Sequence, residues 1–67
     1  MKKIVNLSEA PKDSVFGICY ENGIDVYKDN DFLHVNFIFK KDDKELTLHR
    51  HLNYETIMKN LKNTFNI

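Results

Sequence analysis

The sequence predicts an α+β fold, a four-stranded antiparallel β-meander packed on one C-terminal α-helix. Three observations carry that expectation. Runs rich in Val, Phe, Ile and Tyr alternate with turn signals, Asn22-Gly23 and Asp42-Asp43 being the sharpest. Beyond Asn53 the apolar residues switch to helical spacing. The strand pairings implied by the turns collect nearly all the small aliphatic side chains on one face.

Taken in order, residues 3–7 form a candidate short fifth strand at the N-terminus. Residues 8–13 hold the single proline, Pro11, and read as a loop. Residues 14–21 contain Val15, Phe16, Ile18 and Tyr20, a composition typical of strands. Asn22-Gly23 then suits a type I′ hairpin, whose two central residues both need positive φ. Residues 24–28 return as a second strand, and Asp29-Asn30-Asp31 makes the next turn. Residues 32–40 alternate clearly as a third strand, residues 41–44 turn the chain with Asp42-Asp43 at the tip, and residues 45–52 form the fourth strand. Asn53 is a good helix N-cap. Tyr54, Ile57, Met58, Leu61 and Phe65 follow as one amphipathic stripe. Glu55 early in that helix, and Lys59 and Lys62 later, agree with its dipole.

Directly opposed residues in an antiparallel ladder share a face. With Asn22-Gly23 central, Cys19 pairs with Val26 and Ile18 with Tyr27. With a four-residue loop over 28–31, Tyr27 pairs with Phe32, Val26 with Leu33 and Ile24 with Val35. With Asp42-Asp43 central, Lys40 pairs with Glu45, Ile38 with Thr47, Asn36 with His49 and His34 with His51. The first face then holds Val15, Cys19, Ile24, Val26, Leu33, Val35, Phe37, Phe39, Leu46, Leu48 and Leu52, and the helix should cover it. The second face holds Phe16, Ile18, Tyr20, Asp25, Tyr27, Phe32, His34, His49 and His51, with Asn36, Ile38, Lys40, Glu45 and Thr47. An apolar and aromatic patch on an uncovered face marks an interface, and Tyr and Phe are typical anchors of one. The alternative is that the N-terminal segment folds over the patch as a small second core.

Composition narrows the function. All 67 residues are read as one small domain, 1–67. The single cysteine, Cys19, excludes an internal disulfide. Ten basic and ten acidic residues balance to zero net charge, which disfavours a dedicated nucleic-acid binder. No apolar run is long enough for a membrane span, and Ile4-Val5-Asn6-Leu7 is too short and polar for a signal sequence. The expected location is the cytoplasm. Richness in Lys, Asn, Ile and Asp fits an AT-rich coding genome such as a low-GC bacterium or its phage.

Candidate chemistry is sparse. The register sets Tyr20, Asp25, His34 and His51 in one row, with His49 beside His51. Imidazoles beside a carboxylate could bind zinc, but His49-Arg50-His51 lacks companion cysteines and sets a cation between the ligands. No metal or other cofactor is expected. A pH-sensitive contact surface fits better, because His changes charge near neutrality. Cys19 falls on the core face away from the histidines and reads as a small buried hydrophobe rather than a nucleophile. Ser14 has no evident base, and no phosphate-binding, dinucleotide or paired-carboxylate motif is present. The chain is not expected to be an enzyme.

Leu46-Thr47-Leu48, leading through Leu52-Asn53-Tyr54-Glu55 into the helix, resembles the end of the single-stranded-DNA-binding transcription-coactivator domain. The resemblance is one of architecture, over about 50 residues, and fold alone does not fix function. It implies a dimer that binds single-stranded nucleic acid. The main expectation is a protein-binding module, a stoichiometric inhibitor or adaptor that dimerises and works through the aromatic–histidine face. A phage- or mobile-element-encoded inhibitor of a host or defence protein is its most specific form.

Overall fold

The computed structural model describes residues 2–30 and 34–67. In chain order the elements are β1 (Lys2–Ile4), α1 (Val15–Glu21), β2 (Asp25–Asn30), β3 (Val35–Lys41), β4 (Lys44–His49) and α2 (Tyr54–Phe65). The strands form one antiparallel sheet in the order β1-β2-β3-β4. The α+β class, the four-stranded antiparallel sheet and the C-terminal helix are as the sequence predicts. One strand has a different origin. The N-terminal segment supplies it, and residues 14–21, read as a strand from propensity, are helical.

The local chemistry of α1 explains that difference. Ser14 is its N-cap, with extended backbone at φ −82° and ψ 162°. The Ser14 hydroxyl accepts from the Gly17 amide at 3.1 Å and donates to the Pro11 carbonyl at 2.6 Å. At the other end Asn22-Gly23 makes no hairpin. Gly23 takes φ 70°, its amide donates to the Tyr20 carbonyl at 3.3 Å, and the Ile24 amide donates to the Cys19 carbonyl at 2.9 Å. This is a Schellman motif, which needs a left-handed residue just past the helix, as a type I′ hairpin needs one in its turn. Burial overrides strand propensity here. As a helix the segment sends Val15, Phe16, Ile18 and Cys19 toward the core, and seats Gly17 under the Pro11 backbone.

β2 runs further than the turn-like Lys28-Asp29-Asn30 suggests. Those residues pair with Phe37, Asn36 and Val35, while Val26 faces Phe39 and Tyr27 faces Ile38. The expected pairs Tyr27–Phe32, Val26–Leu33 and Ile24–Val35 are therefore replaced, and residues 31–33 lie outside the described residues. The displacement is an even number of positions, so each strand keeps its inner and outer residues. The β3–β4 ladder has the expected register, with Asn36 opposite His49, Ile38 opposite Thr47 and Lys40 opposite Glu45. Asp42 takes φ 56° in the connection between Lys41 and Lys44. β4 ends at His49, earlier than the sequence predicts. Residues 50–52 turn toward α2, which leaves Leu52 exposed rather than in the core.

One cluster of buried side chains holds the fold: Leu7, Cys19, Ile24, Val26, Phe39, Met58, Leu61 and Phe65. Phe37, Leu46, Leu48 and Ile57 pack around it, and Phe16 meets Phe37 edge-to-face at 5.3 Å. Burying each large apolar side chain stabilises the fold by about 1.5–3 kcal/mol. Asn53 caps α2 as expected, its Oδ1 accepting from the Thr56 amide at 2.8 Å. Met58, Leu61 and Phe65 of the helix stripe are buried and Ile57 is half-buried. Tyr54, at the start of that stripe, is 51% exposed, and its hydroxyl donates to the Asp13 carbonyl at 3.1 Å.

Candidate functional site

Both helices contribute to the cluster on the Val26–Phe39 side of the sheet. The opposite side carries no helix among the described residues. Its side chains follow from the pairing as three rows. Lys2, Asp29, Asn36 and His49 form the first row, and Ile4, Tyr27, Ile38 and Thr47 the second. Asp25, Lys40 and Glu45 form the third. The central row is the apolar one. Ile4 is 67% exposed, whereas Ile38, flanked by Tyr27 and Thr47, is only 4% exposed. Lys40 holds the third row together, with its Nζ 3.9 Å from Glu45 Oε2 and 5.6 Å from the centre of the Tyr27 ring. The ion pair is solvent-exposed and worth at most about 1 kcal/mol.

The three histidines gather at the other end of this face. The His49 ring lies 5.6 Å from that of His34 and 4.9 Å from that of His51. The His51 amide donates to His49 Nδ1 at 3.3 Å. Among the described residues, no group of three His, Cys, Asp or Glu side chains is arranged to hold a metal ion.

The site residues expected from the sequence divide into four groups. Asp25, Tyr27 and His49 lie on the uncovered face, and His34 and His51 stand against His49 at its end. Phe16, Ile18 and Tyr20 lie on α1 instead. Phe16 and Ile18 pack on the core, and Tyr20 is 57% exposed on the helix. Phe32 lies outside the described residues. The single row of Tyr20, Asp25, His34 and His51 does not form. Asp25 faces Lys40, and His49 faces Asn36 four residues along β3, which offsets the carboxylate from the imidazoles by about 13 Å along the strands, with β3 also between them. The acidic residue in the His49 row is Asp29. Ile4 is the exposed apolar member of this surface that the sequence-based site residues omit. The run Lys2-Lys3-Ile4-Val5 has no polar–apolar alternation that could assign Ile4 to a face.

Two further features belong to the helix side. Cys19 is fully buried, and burial pushes its thiol from 9.0 to about 11, the reverse of what a nucleophile needs. A cleft of about 230 Å³ opens between the helices, lined by Ser14, Val15, Phe16, Phe37, Phe39 and Ile57. Ser14, its polar member, already uses its hydroxyl as donor and acceptor within the helix cap. Among the described residues no helix is long and apolar enough to cross a membrane. Comparison with protein-family models, curated proteins and solved structures finds no match to this chain.

Proposed function

We propose that the chain is a small protein-binding module, a stoichiometric inhibitor or adaptor, that receives its partner on the helix-free face of the sheet. One observation carries the reading. A row with Ile4 and Tyr27 available to a partner runs across the strands, between a charged row and a row that ends in imidazoles. An apolar centre with a polar rim is the usual anatomy of a protein interface. The specific form of the proposal is an inhibitor of a host or defence protein, carried by a phage or mobile element. Its support is the composition of the chain, rich in Lys, Asn, Ile and Asp.

Single-stranded nucleic acid fits the same face less well. Base stacking needs exposed aromatic platforms beside cations. Tyr27 is the one phenolic or phenyl ring among the described strand residues of this face, and Lys40 stands over it. Asp25, Asp29 and Glu45 add negative charge around it.

A photo-crosslinking amino acid placed at Ile4 or Thr47, and separately at Lys59 on α2, tests the site in the native host. A partner on the open face gives a discrete adduct from Ile4 and Thr47, distinct in mass from a self-adduct of the chain, and the Thr47 adduct with the partner disappears with Ile4→Glu. Adducts from Lys59 alone would place the partner on the helices and refute the reading.

A further inference from the structure

The two edges of the sheet are not alike. β1 is three residues long and begins Lys2-Lys3, a short charged edge of the kind that resists strand addition. β4 runs six residues, Lys44–His49, in unbroken register with β3, without proline or bulge. Backbone direction on β4 follows from one bond. The Arg50 amide donates to the Val35 carbonyl at 3.1 Å, and those two residues are direct partners in the continued register. Amides and carbonyls alternate along an antiparallel strand. Leu46 and Leu48 therefore point their backbone groups at β3, while Glu45, Thr47 and His49 point theirs outward from the edge.

We propose that this edge pairs with β4 of a second copy of the chain, antiparallel about Thr47, to give one sheet continuous across both copies. The sequence of β4 is complementary to itself in that register. Thr47 meets Thr47, and Glu45 meets His49 of the second copy in two symmetry-related pairs. Leu46 meets Leu48 on the helix-covered side, where both are half-buried in the single chain. Every outward residue finds a mate, giving about four backbone hydrogen bonds besides those to the His49 carbonyl, which already accepts from the Leu52 amide at 3.2 Å. A register displaced by two residues strands one outward residue on each copy and sets Glu45 opposite Thr47, which has no charge to offer. The register also brings Lys44 opposite Arg50, where both side chains are exposed and solvent screens them. Joined this way, the open faces of the two copies form one surface, with the histidine end of each beside Glu45 of the other.

Sedimentation equilibrium and native mass spectrometry of the full chain test the interface. The wild type is dimeric at high-micromolar concentration. His49→Glu sets two carboxylates against each other in both symmetry-related pairs and weakens the dimer roughly tenfold. Glu45→Lys combined with His49→Glu restores opposite charges and recovers it. Thr47→Pro removes an outward amide that β3 does not use, and gives a folded monomer. Should Thr47→Pro unfold the chain, the charge reversal and its rescue decide the question alone. A monomeric wild type at millimolar concentration overturns the proposal, as does a dimer indifferent to His49→Glu. The interface does not depend on the partner reading of the open face, and Ile4→Glu separates the two. A dimer lost with Ile4→Glu but kept with His49→Glu runs through the open face, not the edge.

Discussion

Replacing Gly17 by alanine should destabilise this protein, although the same change in an exposed helix stabilises by about 1 kcal/mol. The reason lies outside the helix. A Cβ at Gly17 would drive into the Pro11 carbonyl and lie 3.0 Å from the Lys12 Cα. Both are backbone atoms, and both are tied down. The Ser14 amide donates to that carbonyl at 3.1 Å and the Ser14 hydroxyl at 2.6 Å. Moving the loop away therefore pulls on the N-cap that starts α1. Overpacking costs about 1–3 kcal/mol and loss of a cap about 0.5–2 kcal/mol. After the propensity gain, the net expectation is a loss of about 1–3 kcal/mol. For a domain of this size that lowers Tm by roughly 10 °C. Urea titration and thermal melts followed by far-UV circular dichroism measure it. Gly23→Ala is the control, because Gly23 has open space around its Cβ position but a φ of 70°. Its cost is conformational only, about 1 kcal/mol. A Gly17→Ala variant as stable as the wild type, or more so, would mean that the Pro11 loop does not sit on α1. The account of why this segment is a helix would then fail.

Other consequences can be measured on the same material. Because the Cys19 thiol is raised to about 11, the unfolded chain loses its proton first as pH rises. That contribution is fully present below about pH 9 and is lost as pH rises through 11, so wild type should lose about 2–3 kcal/mol relative to Cys19→Ala over that window. Denaturant midpoints that fall in parallel for both would contradict it. Asn53→Ala should cost about 1 kcal/mol by freeing the Thr56 amide, and Asn53→Asp should not; equal losses would deny the cap. Phe39→Ala should cost about 3–5 kcal/mol and Leu52→Ala less than about 0.5; a Leu52→Ala loss of several kcal/mol would mean that residues 45–52 all belong to the fourth strand.

How legible the fold was depended on what kind of signal each element carried. α2 and the β3–β4 hairpin could be read because several local signals agreed. Asn53, the apolar stripe and the late lysines all specify one helix, and Asp42-Asp43 lies between two strands of clear alternation. α1 was misread because its residue types favour strands, while its caps are written in residues that serve turns equally well. Ser14 three residues before Gly17 is a weaker signature than a Ser–Glu capping box, and Asn-Gly satisfies a hairpin or a Schellman end alike. What decides between them is burial. The core cluster draws on Cys19 and Ile24 on either side of that turn, and a helix ending there brings both inward. β1 was legible as a candidate strand over residues 3–7, and the structure sets it at Lys2–Ile4 with the Val5 amide donating to the Val26 carbonyl at 2.8 Å just beyond its end.

The candidate surface came through these errors in part, and parity explains which part. A side chain's face in a sheet depends on whether the register is odd or even, not on its value. The β2–β3 pairing is centred three residues later than the turn signal suggests, which changes the pairing sum by an even number. Tyr27, Asn36, Ile38, Lys40, Thr47 and His49 therefore remain together on the open side, although most have different neighbours from those expected. Parity offers no such protection when a strand becomes a helix. Phe16 and Ile18 move to the core side with α1, and the apolar part of the open face would shrink to Tyr27 and the covered Ile38. β1 compensates. It takes the place beside β2 that residues 14–21 were expected to fill, and its pairing sets Ile4 opposite Tyr27. The apolar character of the surface thus rests on a three-residue strand at one edge, while its charged and imidazole groups rest on the long β3–β4 hairpin at the other. A partner that needs Ile4 therefore needs β1 in its place beside β2.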